Sequence, residues 1–309
     1  MRKIFTILFL TVLFIPTTRI SAQQDPQYSQ YMYAKLSNNP GYAGNNDAIC
    51  GTLIYRNQWT GFGDEPKTAL LSFDMPVKPL HGGLGLNVVA MDNLGYQKDM
   101  YFNLNYAYRT TLGAGQLGIG ASFGYAQKGI DGTKFIYYQA NDPNIPTTDV
   151  SGGTFDLGFG AYYQDNKLYV GLSSTHLIEG QIKYDQTVTT LARHYYLTAG
   201  YSIDLTPDLV LKPATMIKSD GATQQFDINA NLMIKNRFWG GLGYRFQDAI
   251  IIMAGIEIIP NLKFGYSYDL TMSDIKTYSS GTHEIMLGYC FKPPVKVPKR
   301  QFHRNVRFL

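Results

Sequence analysis

The chain reads as all-β, a transmembrane antiparallel barrel of about 14 strands with a plug-like segment ahead of it. One observation behind this is a hydrophobic period of two that recurs along the chain. Another is composition: 31 Gly and 24 Tyr against only 16% charged residues, which favours strands over helices. The last is an export signal followed by no apolar run of membrane-helix length, a combination that leaves a closed barrel as the membrane-spanning option.

The period is clearest at residues 261–273. Leu262, Phe264, Tyr266, Tyr268 and Leu270 share one parity, and Lys263, Gly265, Ser267, Asp269 and Thr271 share the other. Such alternation belongs to a strand whose two faces meet different surroundings. It recurs where Phe102, Leu104, Tyr106 and Tyr108 oppose Asn103, Asn105, Ala107 and Arg109. Candidate strands cover 48–58, 67–77, 82–91, 98–110, 115–127, 153–165, 167–175 and 193–204, then 208–218, 223–235, 237–247, 248–259, 261–271 and 282–292. Runs of about ten residues suit a tilted bilayer crossing better than the five or six usual in soluble sheets. A two-sheet sandwich is the competing fold. Gly and charge on the second face disfavour it, so the aromatic parity is assigned to lipid and the polar parity to the lumen.

In chain order, residues 1–22 form a signal peptide. Arg2 and Lys3 precede an apolar run, and Ile20-Ser21-Ala22 offers a cleavage site before Gln23. Residues 23–47 lack the period of two and are rich in Asn, Gln, Tyr and Gly. Their aromatics predict a folded plug in the barrel mouth rather than a flexible periplasmic arm. Residues 48–292 are the barrel. Connections after even-numbered strands are tight, whereas long ones, at 59–66, 128–152, 176–192 and 272–281, follow odd-numbered strands. That split predicts an outer-membrane barrel with long loops outside and both mature termini periplasmic. Residues 293–309 begin with Pro293-Pro294, which end the last ladder. Lys296, Lys299, Arg300, Arg304 and Arg307 then follow without one acid, a basic periplasmic tail that either docks an acidic partner or stays solvated.

No P-loop or dinucleotide fingerprint occurs. His81, His176, His194, His283 and His303 lack metal-ligand spacing. His283 and Glu284 are adjacent, hence on opposite strand faces. No catalytic residue, cofactor or metal is expected, and the chain is read as not an enzyme. A net charge of +4 without an aromatic-basic pattern argues against nucleic acid. Gly118, Gly120 and Gly124 repeat at alternate positions, as on a lumen face crowded by another segment. Arg56, Arg109, Asp227, Arg245, Glu257, Lys263, Asp269 and Glu284 face the lumen by parity. They are expected to pair with one another and with the plug. Cys50 and Cys290 sit on the first and last strands, which meet when the barrel closes, with both side chains inward. They are a candidate disulfide in an oxidising compartment.

Several segments, in order, carry a resemblance. They are "YSQYM" (28–32), "NPGYAG" (39–44), "YRNQWTGF" (55–62), "HYYLTAGY" (194–201), "LKPATMIK" (211–218), "DINANL" (227–232), "GYSYDLT" (265–271) and "SSGTHEIMLGY" (279–289). Together the chain resembles the PorP/SprF outer-membrane proteins of the Bacteroidetes type IX secretion system, with a departure at Gly41, where that family often has Ala. The resemblance implies a component of protein export, and in some members of gliding. It would assist delivery or surface anchoring of secreted proteins through their C-terminal sorting domains. Expected partners are membrane lipid, such a secreted protein, a periplasmic lipoprotein or peptidoglycan-binding protein, and the secretion translocon. Tyr137, Tyr138 and Tyr184, in the long loops, are the candidate partner-binding anchors. The alternative function is a transport barrel for small solutes.

Overall fold

A computed structural model describes residues 25–135, 146–184 and 187–292. The expected signal peptide (1–22) and basic tail (293–309) lie outside the described residues. The wall opens with β1 (Ile49–Asn57), β2 (Lys67–Val77), β3 (Gly82–Asn93), β4 (Gln97–Leu112), β5 (Gly115–Asp131), β6 (Asp149–Gln164) and β7 (Leu168–Thr175). A small hairpin follows, β8 (Gln181–Tyr184) and β9 (Thr187–Thr190). The wall resumes with β10 (His194–Tyr201), β11 (Ile203–Thr206), β12 (Leu209–Ser219), β13 (Gln224–Ile234) and β14 (Phe238–Arg245). It finishes with β15 (Ala249–Ile259), β16 (Leu262–Thr271) and β17 (Thr282–Phe291).

Each wall strand pairs antiparallel with its sequence neighbours, β7 passing over the hairpin to β10. Pairing of β10 with β12 and of β1 with β17 closes the ring. Because β10 and β11 are one crossing interrupted at Ser202, the 15-stranded sheet is a closed barrel of 14 strands. Among the described residues no helix is long and apolar enough to cross a membrane. A closed ring also leaves no unpaired edge in lipid.

Side-chain burial is inverted relative to a soluble protein. Leu104, Leu172 and Leu242 are 63%, 61% and 64% exposed on the outside, whereas Ser267, Asp269 and Glu284 are 0%, 1% and 0% exposed within. Water would penalise that outer surface, and a bilayer favours it.

The two rims differ. At one, connections are short and often pass through left-handed backbone, as at Lys235 and Asn236 with φ of 50° and 53°, the pair of values a tight hairpin turn requires. Among the described residues, the other rim carries 58–66, 132–135, 146–148, 176–184, 187–193 and 272–281. Two of its expected loops are partly strand. β5 and β6 stay paired as far as Asp131 and Asp149, shortening the expected 128–152 loop, and the expected 176–192 loop contains the β8–β9 hairpin. A ladder that continues beyond the lipid needs no apolar face, so hydropathy leaves it unmarked.

One expectation is corrected. The described chain begins with Asp25 at the long-loop rim, beside His176 and His194, and β17 ends with Phe291 at the short-turn rim. The two ends therefore lie at opposite mouths rather than on one side, because residues 25–47 run the length of the lumen before β1 starts.

Candidate functional site

The segment inside the barrel descends in three contact layers. Nearest the long-loop rim, Asp25 meets His176, which follows β7, and His194, which opens β10. His176 Nδ1 bonds Asp156 Oδ2 and its Nε2 bonds Asp25 Oδ1, each at 2.8 Å. Tyr196 Oη donates to Asp25 Oδ2 at 2.7 Å, and Lys218 Nζ donates to the Asp25 carbonyl at 2.7 Å. His194 donates Nδ1–H to the Ala192 carbonyl at 2.9 Å and accepts from Asp25 N–H at 3.3 Å. Asp25, His176 and His194 each offer a ligand atom, all within 4.8 Å of one another. Both ring nitrogens of His176 are already committed to carboxylates, so the set serves as an ion-paired anchor. Burial pulls the His176 imidazole down, but Asp25 and Asp156 outweigh it and raise it to about 10. Asp25 is held well below the usual carboxylate range: burial opposes this, and the facing histidines with the His176 and Tyr196 hydrogen bonds prevail.

The next layer centres on Ser29. Its amide donates to Glu284 Oε2 and the Gln30 amide to Glu284 Oε1, both at 2.8 Å. Ser29 Oγ donates to Asp269 at 2.7 Å. Arg56 reaches Ser29 Oγ at 2.9 Å, Glu284 Oε2 at 3.1 Å and Asp269 Oδ2 at 2.8 Å. Arg245 binds Asp227 Oδ2 at 3.0 Å and Asp269 Oδ2 at 3.1 Å. All of these side chains are buried. Charges out of water persist when paired and hydrogen-bonded in this way.

The third layer is the "NPGYAG" stretch. A single helical turn, Lys35–Asn38, leads into a 3-10 turn, Pro40–Tyr42, whose Asn39 side chain accepts from Gly41 N–H at 2.8 Å. Wall side chains satisfy the segment's backbone: Asn87 donates to the Leu36 carbonyl at 3.0 Å and Ser173 to the Asn38 carbonyl at 2.5 Å. The segment lies directly on wall glycines. A Cβ built on Gly41 would stand 2.8 Å from Gly118 O and 2.9 Å from Gly160 O. One built on Gly120 would stand 2.5 Å from Pro40 C. Gly118 and Gly120 of β5 thus face the inserted segment, whereas a Cβ on Gly124 would meet Asn103 and Phe102 of the neighbouring strand.

Of the eight lumen residues read from parity, the structure brings Arg56, Asp227, Arg245, Asp269 and Glu284 into one network. Arg109 lies apart, near the short-turn rim, donating to Asn45 and to Gln116 at 3.0 Å. Glu257 accepts from Asn261 N–H at 2.8 Å in the turn after β15, and Lys263 lines open space beneath the plug. Tyr137 and Tyr138 lie outside the described residues. Tyr184 is half-buried on the hairpin, packed on a cluster that includes Ile182, Leu191, Tyr28 and Tyr101. Cys50 and Cys290 are register partners with Cα atoms 4.1 Å apart, joined as a disulfide. Sequence spacing missed the convergence of Asp25, Asp156, His176 and His194, which come from four separate segments. The signal that could have shown part of it is strand parity, since Asp156 shares a face with Gly158 and Gly160, and Tyr196 with Thr198 and Gly200.

Residues 20–289 match the family described as "Type IX secretion system membrane protein PorP/SprF". No curated protein matches the chain in sequence. Among solved structures it is similar to a FadL homologue of Pseudomonas aeruginosa, at 10% identity and a TM-score of 0.48, over 84% of this chain and 94% of that one. It is similar also to the translocator domain of the autotransporter NalP from Neisseria meningitidis, at 15% identity and a TM-score of 0.44, over 85% and 94%. The Acinetobacter baumannii outer membrane protein Omp33 gives 10% identity and a TM-score of 0.41, over 79% and 95%. Likenesses this distant carry no argument about function.

Proposed function

Because the chain belongs to the PorP/SprF family of type IX secretion system membrane proteins, we propose that it assists the delivery or surface anchoring of partner proteins that bear C-terminal sorting domains. It does so without catalysis, as an outer-membrane docking component. The observation that carries this reading is the occupied lumen. Residues 25–47 occupy much of the lumen and are held by the Asp25–His176 ion pair and hydrogen bonds to Glu284 and Asp269 toward one end and by close backbone packing toward the other. A solute pore needs a path, and the chain's own residues take up much of it.

The long loops face outward in this reading, since barrels of this kind put short turns in the periplasm. Asp25 then faces the cell exterior and Lys292 the periplasm. A secreted partner engages the outer mouth, formed by residues 58–66, 132–148, 272–281 and the β8–β9 hairpin, with Tyr137, Tyr138 and Tyr184 as its aromatic contacts. Gliding adhesins are one such class of partner. A periplasmic lipoprotein or peptidoglycan-binding protein, together with the translocon, engages the other mouth, aided by the basic residues after Lys292.

The test is a variant shortened within residues 136–148, which lie between the paired ends of β5 and β6. It should insert normally and lose surface retention of one or a few secreted proteins. Normal retention would remove this loop from the reading. If deleting the whole protein spares every secreted protein but abolishes uptake of a small solute, the transport alternative replaces it.

A further inference from the structure

Beneath the plug, the lumen opens at the short-turn rim into a cavity of about 540 Å³. Lys35 of the plug, Lys212 of β12 and Lys263 of β16 line it, with Lys292 among the residues at its rim. Lys35 Nζ donates to Tyr162 Oη at 2.9 Å and stands 3.6 Å from the centre of the Tyr169 ring. Among the described residues no carboxylate lies within ion-pair distance of Lys35, Lys212 or Lys263.

The nearby acids are engaged elsewhere. Asp74 accepts from Gly44 N–H at 3.0 Å. Asp165 accepts from the amides of Lys167 and Leu168 at 2.7 and 2.8 Å. Glu257, the register partner of Lys263, turns to Asn261 N–H. Burial, with the charges of Lys212 and Lys263, pushes the Lys35 ammonium down to about 7. Like charges gathered around an empty space repel, and an anion between them relieves the repulsion. Residues 293–309, which follow the last strand, contain no Asp or Glu.

We propose that this cavity is a binding vestibule for an acidic polypeptide segment, whose Asp or Glu carboxylates enter from the short-turn mouth and sit among Lys35, Lys212 and Lys263. The volume admits several side chains, far more than a lone inorganic anion needs. Amides of Asn229, Asn231 and Asn261 also line the cavity and suit a peptide backbone. The plug closes the far side, so a segment docks there rather than passing through. On the orientation given above, the segment belongs to a periplasmic partner.

The test measures binding to purified full-length protein in detergent, so it does not depend on any secretion phenotype. The probe is a fluorescein-labelled peptide of alternating Glu and Ser, and a Gln-for-Glu version is its control. The Glu peptide should bind, and the Lys212→Gln/Lys263→Gln protein should bind it at least roughly tenfold more weakly. Lys78→Gln, at the same rim outside the cavity, should bind like the parent. Heat-modified gel migration verifies that each variant is a folded barrel. Equal binding of the Gln peptide, or unchanged binding by the double lysine variant, overturns the proposal. Complete displacement by inorganic phosphate at matched ionic strength would reassign the cavity to a free anion.

Discussion

Arg56 and Glu284 are register partners across the seam where β1 meets β17, with Nη1 and Oε2 3.1 Å apart. The same carboxylate accepts the amide protons of Ser29 and Gln30 from the plug. The ion pair therefore spans the barrel's closing seam, and the plug docks on it. Closing the ring and seating the plug draw on one set of buried charges.

Replacing Arg56 by Ala should leave Asp269 and Glu284 buried without this counter-charge. Breaking a buried pair in this way costs about 3–5 kcal/mol. The urea midpoint of the refolded barrel in micelles should fall accordingly. Arg56→Lys should recover only part of the loss, because one ammonium cannot reproduce the fork in which Nη1 reaches Glu284 and Nη2 reaches Asp269. An unchanged midpoint in Arg56→Ala would show that the network does not hold the seam.

The opposite end of the same seam carries the Cys50–Cys290 disulfide, which joins positions 240 residues apart. A covalent tie between the first and last strands restricts the unfolded chain, typically by about 2–4 kcal/mol. Reduction, or Cys50→Ser with Cys290→Ser, should lower the thermal midpoint while leaving barrel migration on a cold gel intact. Identical midpoints with and without reductant would remove the bond from the stability of the barrel.

The wall was legible because each crossing needs an apolar face toward lipid, and that need writes the period of two at Phe102 to Tyr108 and Leu262 to Leu270. The same parity placed Arg56, Asp227, Arg245, Asp269 and Glu284 inward. Parity states a face and not a height, so it could not separate them from Arg109, Glu257 and Lys263, which lie nearer the other rim. The Asp25 anchor was illegible for a related reason. His176 and His194 bracket a loop, Asp156 lies on a neighbouring strand and Asp25 comes from the plug, so no local spacing records their meeting. Four-residue strands such as Gln181–Tyr184 are too short for periodicity to register.

The anchor should respond to pH on two sides. Asp25 has a depressed folded value, so its contribution is present above about pH 4, its unfolded value, and is lost as pH falls through the folded one. His176 is raised to about 10, so its contribution is complete below about pH 6.5 and drains away as pH rises toward the folded value. Hydrogen exchange of residues 25–33, corrected for intrinsic rates, should be slowest between about pH 4 and 6.5 and faster toward pH 10. In His176→Gln the alkaline acceleration should vanish. If it persists unchanged, the titrating group lies elsewhere.

The glycine lane under the plug gives the most direct handle on the plug itself. Gly120 has Ala107 and Gly160 as its register partners, and a Cβ there would come within 2.5 Å of Pro40 C and O. That separation is closer than packed carbon atoms tolerate, and its other side is plug backbone, which cannot rotate away as a side chain can. Gly120→Val should therefore displace the turn Pro40–Tyr42, at about 1–3 kcal/mol of overpacking. The wall should accept the change, since valine suits a strand. The plug ring of Tyr33 lies 5.4 Å from Trp239 on the wall, so displacement should alter Trp239 emission in a Trp59→Phe background. Conductance in planar bilayers should also rise as the lumen loosens. A Gly120→Val barrel that assembles with unaltered emission and unaltered conductance would show that the segment does not depend on this seat.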